Sequence, residues 1–329
     1  GDTMSGPHER VHEPGTWGPV TPTFEPVEFP SGGVTLRGRL YRGGTPEQPA
    51  PALVMAPGFS GTITMVFPRY AEAFASAGLT VLLFDNAGWG RSDGEPRFEV
   101  EKWQQVRGYL AAADYLRDLE SIDADRIGFW GYSTSAEVAT VAAAVDGRIA
   151  ALVAQMPCWG VELSEPEDRP GDFERLRDAM LNADLTSWPR DVIGPMPVVS
   201  PEPQTMPAFS EPLSAFRWCM EFATAPETGW INRATFAVLS GPVALDAQLC
   251  IPEIRAPTLV VTAQEDEMCT GQVPRDLTSR FGGPTEALVL GGGHFSTFYP
   301  ESPEFRAAIE AERSFLLRGL GRVGTRAAE

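Results

Sequence analysis

Three residues able to move a proton and attack a carbonyl stand in the chain order Ser133, Asp266, His294. His294 lies in Gly291-Gly292-Gly293-His294-Phe295, and the two other histidines, His8 and His12, sit in a polar leader rich in Pro and Gly. Any mechanism that needs an imidazole base therefore runs through His294. An imidazole held by a carboxylate can take the proton of a serine hydroxyl and make its oxygen a nucleophile. The chemistry in prospect is covalent acyl transfer.

Ser133 sits in Gly131-Tyr132-Ser133-Thr134-Ser135, after the apolar run Ile127-Gly-Phe-Trp130 and before Ala136-Glu137-Val138-Ala139. That is a strand–turn–helix, the context in which a strained turn projects a serine hydroxyl and demands small neighbours. Gly131 meets that demand; Ser135 replaces the usual second glycine, and Ala136 keeps the helix start slim. The same position would suit a plain serine N-cap. Asp266 follows the strand Thr258–Thr262, with Glu265 and Glu267 as competing acids; spacing and the shorter side chain favour Asp266. Ala56-Pro57-Gly58-Phe59-Ser60-Gly61 ends an early strand, and the amides of Phe59 and Thr134 are the candidate oxyanion donors. A simple Pro-Gly turn is the plainer reading of that segment. Asp85-Asn86-Ala87-Gly88-Trp89-Gly90-Arg91-Ser92 lacks the lysine and spacing of a phosphate cradle and is read as a structural turn beside the pocket. Glu137 most simply complements the start of its helix.

The elements that must position these residues alternate. Val34–Tyr41 has the period of a half-exposed strand. Short apolar runs at 52–56, 80–85, 126–130, 149–154, 258–262 and 286–290 suit parallel strands buried on both faces, with helical stretches at 70–77, 100–119, 136–144 and 303–317. This predicts an α/β fold, a doubly wound and mostly parallel sheet, with its site beyond the carboxyl ends of the strands. Residues 158–250 break the rhythm with seven prolines between Pro189 and Pro212 and a set of aromatic and methionine side chains. They are read as a cap inserted into a core of 24–157 and 251–320, preceded by a disordered leader over 1–23. Most of the cap's aromatics would form its own core; Trp159, Trp218, Trp230 and Met156 are the candidates for the pocket wall.

The composition excludes other classes. A net charge of −18 on 329 residues argues against nucleic acid and against an anionic membrane surface, since both need a basic face. No stretch approaches the roughly 18 apolar residues of a membrane span, and the leader lacks a signal-peptide pattern. Cys158, Cys219, Cys250 and Cys269 are far apart without metal-ligand spacing, so free thiols in a reducing cytoplasm are expected. No metal or cofactor is implied. The sequence leaves the number of subunits open.

Between about residues 30 and 320 the chain resembles the α/β-hydrolase superfamily, on Ala56-Pro-Gly-Phe-Ser-Gly61, Phe84-Asp-Asn-Ala-Gly-Trp-Gly-Arg-Ser92, Gly128-Phe-Trp-Gly-Tyr-Ser-Thr-Ser135, Ala263-Gln-Glu-Asp266 and Gly292-Gly-His-Phe295. Within it, Gln155-Met-Pro157 and Trp230-Ile-Asn-Arg-Ala-Thr235 are similar to a group of polyketide transferases, thiohydrolases and peptidase-S15-like hydrolases. Departures are Ser135, Asn86-Ala87 in place of an aromatic and an arginine, and Ser296-Thr297 where an acid often stands. The resemblance implies a Ser-His-Asp hydrolase or acyl-transfer enzyme acting on an ester or thioester of an apolar, polyketide-like small molecule. The rival is a tailoring enzyme in which His294 and Asp266 act as the base for elimination of an acyloxy group or for cyclisation. A non-catalytic ligand receptor is the expectation from a different class.

Overall fold

The computed structural model describes residues 23–269 and 272–321. The expected leader, with His8 and His12, lies outside the described residues apart from Thr23. In chain order the elements are β1 (Glu25–Ser31), β2 (Val34–Tyr41), β3 (Ala50–Met55), α1 (Phe67–Ser76), β4 (Thr80–Phe84), β5 (Glu99–Val100), α2 (Lys102–Arg117), β6 (Ile122–Tyr132), α3 (Thr134–Asp146) and β7 (Ala151–Gln155). They continue as α4 (Asp172–Asn182), β8 (Arg190–Met196), α5 (Leu213–Phe222), β9 (Ala234–Leu239), α6 (Ala247–Cys250), β10 (Thr258–Ala263), α7 (Gln272–Leu277), β11 (Thr285–Leu290) and α8 (Pro303–Leu320).

Eight strands form one sheet in the order β1-β2-β4-β3-β6-β7-β10-β11. The pairs β1–β2 and β2–β4 are antiparallel, and every later pair is parallel. Alternation at period two splits the central strands between two cores. Ala52, Val54 and Phe129 face α2 and α3, while Leu53, Met55 and Trp130 face α1 and α8. The fold is therefore the doubly wound α/β arrangement expected. β11 differs from expectation: it is an edge strand, and Glu286, Ala287 and Val289 are exposed, so its apolar run is not buried on both faces.

The stretch between β7 and β10 serves two faces. Leu176, Ala179, Met180, Leu249 and Cys250 pack into the core of α2 and α3. Val198, Val199, Ala215 and Trp218 join the other core beside Tyr132 and Phe298. A second sheet runs β5-β9-β8, and its first strand comes from ahead of β6. Among the described residues no helix is long and apolar enough to cross a membrane.

Candidate active site

Ser133 follows β6 directly and has φ 59° and ψ −119°, a left-handed conformation that L residues avoid. Such strain costs on the order of 1–3 kcal/mol and persists only where its surroundings hold it. They hold it here on both sides. The Ser133 N–H donates to Gln155 O at 2.9 Å, and the Ser135 hydroxyl accepts from Tyr132 N at 2.7 Å and donates to Tyr132 O at 2.9 Å. A Cβ on Gly131 would stand 2.2 Å from Ser135 O, so this turn admits only glycine there.

The base and acid arrive from the two strands at the far end of the sheet. His294 Nε2 lies 2.9 Å from Ser133 Oγ, and His294 Nδ1 lies 3.0 and 3.1 Å from the two oxygens of Asp266. The two side chains are 2% and 3% exposed, so water does not compete for this contact. Asp266 Oδ1 also accepts from the amides of Met268 at 2.9 Å and Cys269 at 2.8 Å, which fixes the carboxylate plane. Glu265 and Glu267, the competing acids, do not reach the ring. Glu265 is exposed, its N–H donating to Gly292 O at 3.0 Å. Glu267 accepts the His294 N–H at 3.1 Å and the Ser214 hydroxyl at 2.8 Å, so it ties α5 to the histidine loop. A Cβ on Gly293 would fall 2.3 Å from that Glu267 carboxylate, so the glycine run permits this approach. The Tyr132 hydroxyl donates to His294 O at 2.7 Å and its ring stacks on Phe298 at 4.0 Å.

The loop after β3 brings Phe59 alongside. A Cβ on Gly58 would lie 3.0 Å from Tyr132 O and 3.8 Å from Thr134 N, so this loop touches the serine turn. Thr134 begins α3, where the first amides have no acceptor within the helix. The loop is held from behind by Asp85, whose buried carboxylate accepts from Ile63 N at 3.0 Å and Arg91 N at 3.1 Å. Burial pushes Asp85 up to about 6, against the pull of those two amides and of Arg39 and Arg91. The glycine-rich run read as a plain turn thus also braces the Phe59 loop. Glu137 lies in the first turn of α3 as expected and is paired with Lys102 at 2.7 Å; burial raises its pKa.

A cavity of about 70 Å³ opens on Ser133 and His294. Its walls are Phe59, Met65, Phe67, Val198, Trp218, Trp230 and Met268 among others, and among the described residues His294 is the one charge-bearing type of side chain (His, Lys, Arg, Asp or Glu) in the lining. Trp218 and Trp230 are in this lining. Trp159 and Met156 are not. Trp159 is buried against α3, with Nε1 donating to Thr140 Oγ1 at 3.2 Å and its ring against Phe281. Met156 is buried in the core shared by α1 and α8, its amide donating to Val261 O at 2.7 Å.

The expectation of four free thiols fails for two of them. Cys158 and Cys269 form a disulfide, with Cα atoms 5.1 Å apart. Their separation of 111 residues hid this; β7 and β10 are parallel neighbours, so the segments leaving their carboxyl ends meet. Cys219 and Cys250 are free and buried, and burial pushes the Cys219 thiol up to about 12. Among the described residues, Asp266, Cys269 and His294 form the one group whose ligand-type atoms lie within 4.8 Å of one another. They do not suit a metal as arranged: the sulfur is in the disulfide and the ring faces the carboxylate.

Comparisons with known proteins agree with this architecture. Residues 53–309 match the model of the Alpha/beta hydrolase family. Thiohydrolase aneE of Aspergillus aculeatus is 43% identical over 164 residues, 49% of this chain and 51% of that protein. Acyltransferase drtE of Aspergillus calidoustus is 40% identical over 157 residues, 46% and 49% of the two chains. Polyketide transferase claH of Penicillium crustosum is 40% identical over 129 residues, 39% and 42% of the two. The chain thus spans about half the length of the curated relatives it matches. Their names are those of the thiohydrolase and polyketide-transferase group that the sequence resembles. Among solved structures, DcsB in complex with its substrate analogue superposes with TM-score 0.68 at 24% identity, covering 91% of this chain and 99% of that one. The α/β hydrolase GrgF from Penicillium sp. sh18 gives 0.67 at 24% identity over 90% and 99%. At that identity they speak for the fold alone. With the family match running from β3 into α8, over a sheet of this strand order, the chain belongs to the alpha/beta hydrolase family.

Proposed function

We propose that the chain is a serine-dependent hydrolase or acyl-transfer enzyme that cleaves an ester or thioester of a largely apolar, polyketide-like small molecule. The observation that carries this reading is the unbroken line of contacts from Ser133 Oγ through the His294 ring to Asp266, beside an apolar cavity. The names of the thiohydrolase, acyltransferase and polyketide-transferase relatives support the substrate class. In this reading residues 158–250 are the cap over a core of 24–157 and 251–320.

With Nδ1–H donated to Asp266, His294 Nε2 accepts the Ser133 hydroxyl proton as Oγ attacks the carbonyl carbon. Asp266 holds the tautomer and stabilises the imidazolium that forms. The amides of Phe59 and Thr134 receive the developing oxyanion, a donor pair in which each member contributes about 10²- to 10³-fold in rate. His294 then protonates the departing alcohol or thiol, and water or a second alcohol releases the acyl group by the same steps reversed. The cavity lining, without Lys, Arg, Asp or Glu among the described residues, suits an uncharged acyl group, because a buried unpaired charge would cost several kcal/mol.

The same apolar lining favours a second reading. A dry pocket excludes hydrolytic water, and His294 with Asp266 could then drive an elimination or cyclisation, with Ser133 only a hydrogen-bond donor. Exposure to a fluorophosphonate and a panel of activated esters, followed by intact-mass analysis, separates the two. The expected result is an adduct on Ser133 that is absent in Ser133→Ala and His294→Ala. A folded protein that forms no adduct overturns the covalent reading.

A further inference from the structure

We propose that the Cys158–Cys269 disulfide is a positioning device for the catalytic acid: it holds Asp266 against His294, so that the serine reaction runs at full rate only in the oxidised chain. This rests on the triad reading above.

One end of the bond lies in the acid's own turn. Cys269 is three residues beyond Asp266, and its amide donates to Asp266 Oδ1 at 2.8 Å. The other end is anchored on the serine turn. Cys158 N donates to Ser133 O at 3.4 Å, and Ser133 N donates to Gln155 O at 2.9 Å. The bond therefore ties the serine turn to the acid's carboxylate through one covalent cross-link and a hydrogen bond at each end. The stem of the acid loop has its own support, since Gln264 N and Glu265 N donate to Leu290 O and Gly292 O. Past Asp266, among the described residues, Glu267 is exposed: its carboxylate accepts the His294 N–H at 3.1 Å and the Ser214 hydroxyl at 2.8 Å, and the second contact is open to water. Hydrogen bonds there meet solvent competition, whereas the disulfide does not.

The two sulfurs also lie against the nucleophile, 3.5 and 3.9 Å from Ser133 Oγ. Cys269 is buried and Cys158 only half-buried, so a small thiol meets the bond from the Cys158 side. Reduction by a dithiol proceeds by thiolate attack on one sulfur and departure of the other as a thiolate, which takes up a proton. The second thiol of the reagent then closes its own ring. The chain gains two electrons and two protons, and the reagent becomes a cyclic disulfide. A small-molecule disulfide such as oxidised glutathione runs the exchange backwards.

The test compares oxidised and dithiothreitol-reduced protein by ester turnover and by the rate of fluorophosphonate labelling of Ser133. Reduction is expected to lower kcat and labelling by about 10- to 100-fold, as misplacement of a catalytic group does, with KM unchanged; oxidised glutathione restores both. Cys158→Ser/Cys269→Ser should sit at the reduced level and ignore dithiothreitol. In Asp266→Asn, where no carboxylate remains to be placed, reduction should cause no further loss, a non-additivity that a merely structural bond would not produce. Equal labelling in the two states overturns this inference and leaves the triad standing. Labelling in neither state rejects the triad and this inference with it. Additive losses in Asp266→Asn, or loss of the near-ultraviolet circular dichroism on reduction, also overturn it, since the bond would then hold the fold.

Discussion

Ser135 closes the turn of Tyr132: one hydroxyl accepts the Tyr132 amide at 2.7 Å and donates to the Tyr132 carbonyl at 2.9 Å. Position 135, two residues beyond Ser133, is where such a strand–turn–helix serine motif has glycine, because the backbone is crowded there. Here the crowding is real, as the blocked Cβ of Gly131 shows. The serine fits because its side chain turns back onto the strand end and pairs the two backbone groups that the strained turn leaves without a sheet partner.

Removing that hydroxyl should therefore be felt. Ser135→Ala leaves a buried donor and a buried acceptor unpaired, each worth about 1 kcal/mol or more. A fall in Tm of roughly 4 °C is expected from a loss near 2 kcal/mol, together with slower fluorophosphonate labelling of Ser133. Thermal melting with differential scanning calorimetry checks the first, and unchanged Tm would show that the hydroxyl is idle.

Asp85 is the second residue whose loss should act at a distance. It holds Ile63 N and Arg91 N, and through Ile63 the loop that carries Phe59. Asp85→Asn keeps the shape but offers one acceptor in place of two. The expected result is a drop in kcat of about 10-fold, a fraction of what losing an oxyanion donor costs, with little change in KM. Steady-state kinetics on one ester would decide; a change confined to KM would place Asp85 in substrate binding instead.

The paired tryptophans offer a contrast. Trp218 lines the cavity and stacks on Phe295 at 5.6 Å, while Trp159 packs against α3. Trp218→Leu should enlarge the cavity and move the preferred acyl chain to longer esters. Trp159→Leu should cost about 3 kcal/mol as a core truncation and leave the chain-length preference alone. A profile over esters of increasing length measures both, and a shift in the Trp159 variant would contradict the assignment of the two walls.

How far the sequence discloses the site follows from what local context can carry. The meeting of Ser133, Asp266 and His294 is legible because each follows a recognisable apolar strand at the carboxyl edge of a parallel sheet, and His294 is the one histidine beyond the polar leader. The orientation of an aromatic ring is not local information. Trp159 and Trp218 stand in the same proline-rich stretch, and only the packing separates core from cavity. The Cys158–Cys269 pair was illegible for a related reason, since adjacency arises from strand order across the sheet and not from spacing. β1 has no counterpart in the sequence reading; it carries Pro26 and Pro30 and forms at the sheet edge, where a missing amide is tolerated. β11 was expected buried because its apolar run cannot by itself announce that it is last in the sheet.

Glu312 supplies the prediction with the widest reach. It stands on the apolar stripe of α8 with Phe305, Ala308, Ile309 and Leu316 and is fully buried. Trp130 Nε1 donates to it at 2.6 Å, and the Gln155 amide nitrogen faces it at 2.6 Å. Burial pushes its pKa from the ordinary 4.5 up to about 8, only partly offset by the Trp130 hydrogen bond. The folded chain therefore keeps a proton that the unfolded chain releases once pH exceeds the ordinary value. The stabilisation tied to that proton is full below about 4.5 and is lost as pH rises through about 8. At about 1.4 kcal/mol per pH unit, the wild-type fold should lose roughly 3 kcal/mol between pH 5 and pH 8 from this group alone. Glu312→Gln keeps the shape without the ionisation, so its stability should fall by roughly 3 kcal/mol less than the wild type's over the same range. About half of the slope remains, because Asp85 and Glu101 are pushed up to about 6 and about 7 and act with the same sign. Urea midpoints at the two pH values for both proteins provide the measurement, and parallel slopes would mean that Glu312 ionises in the folded chain as it does in water.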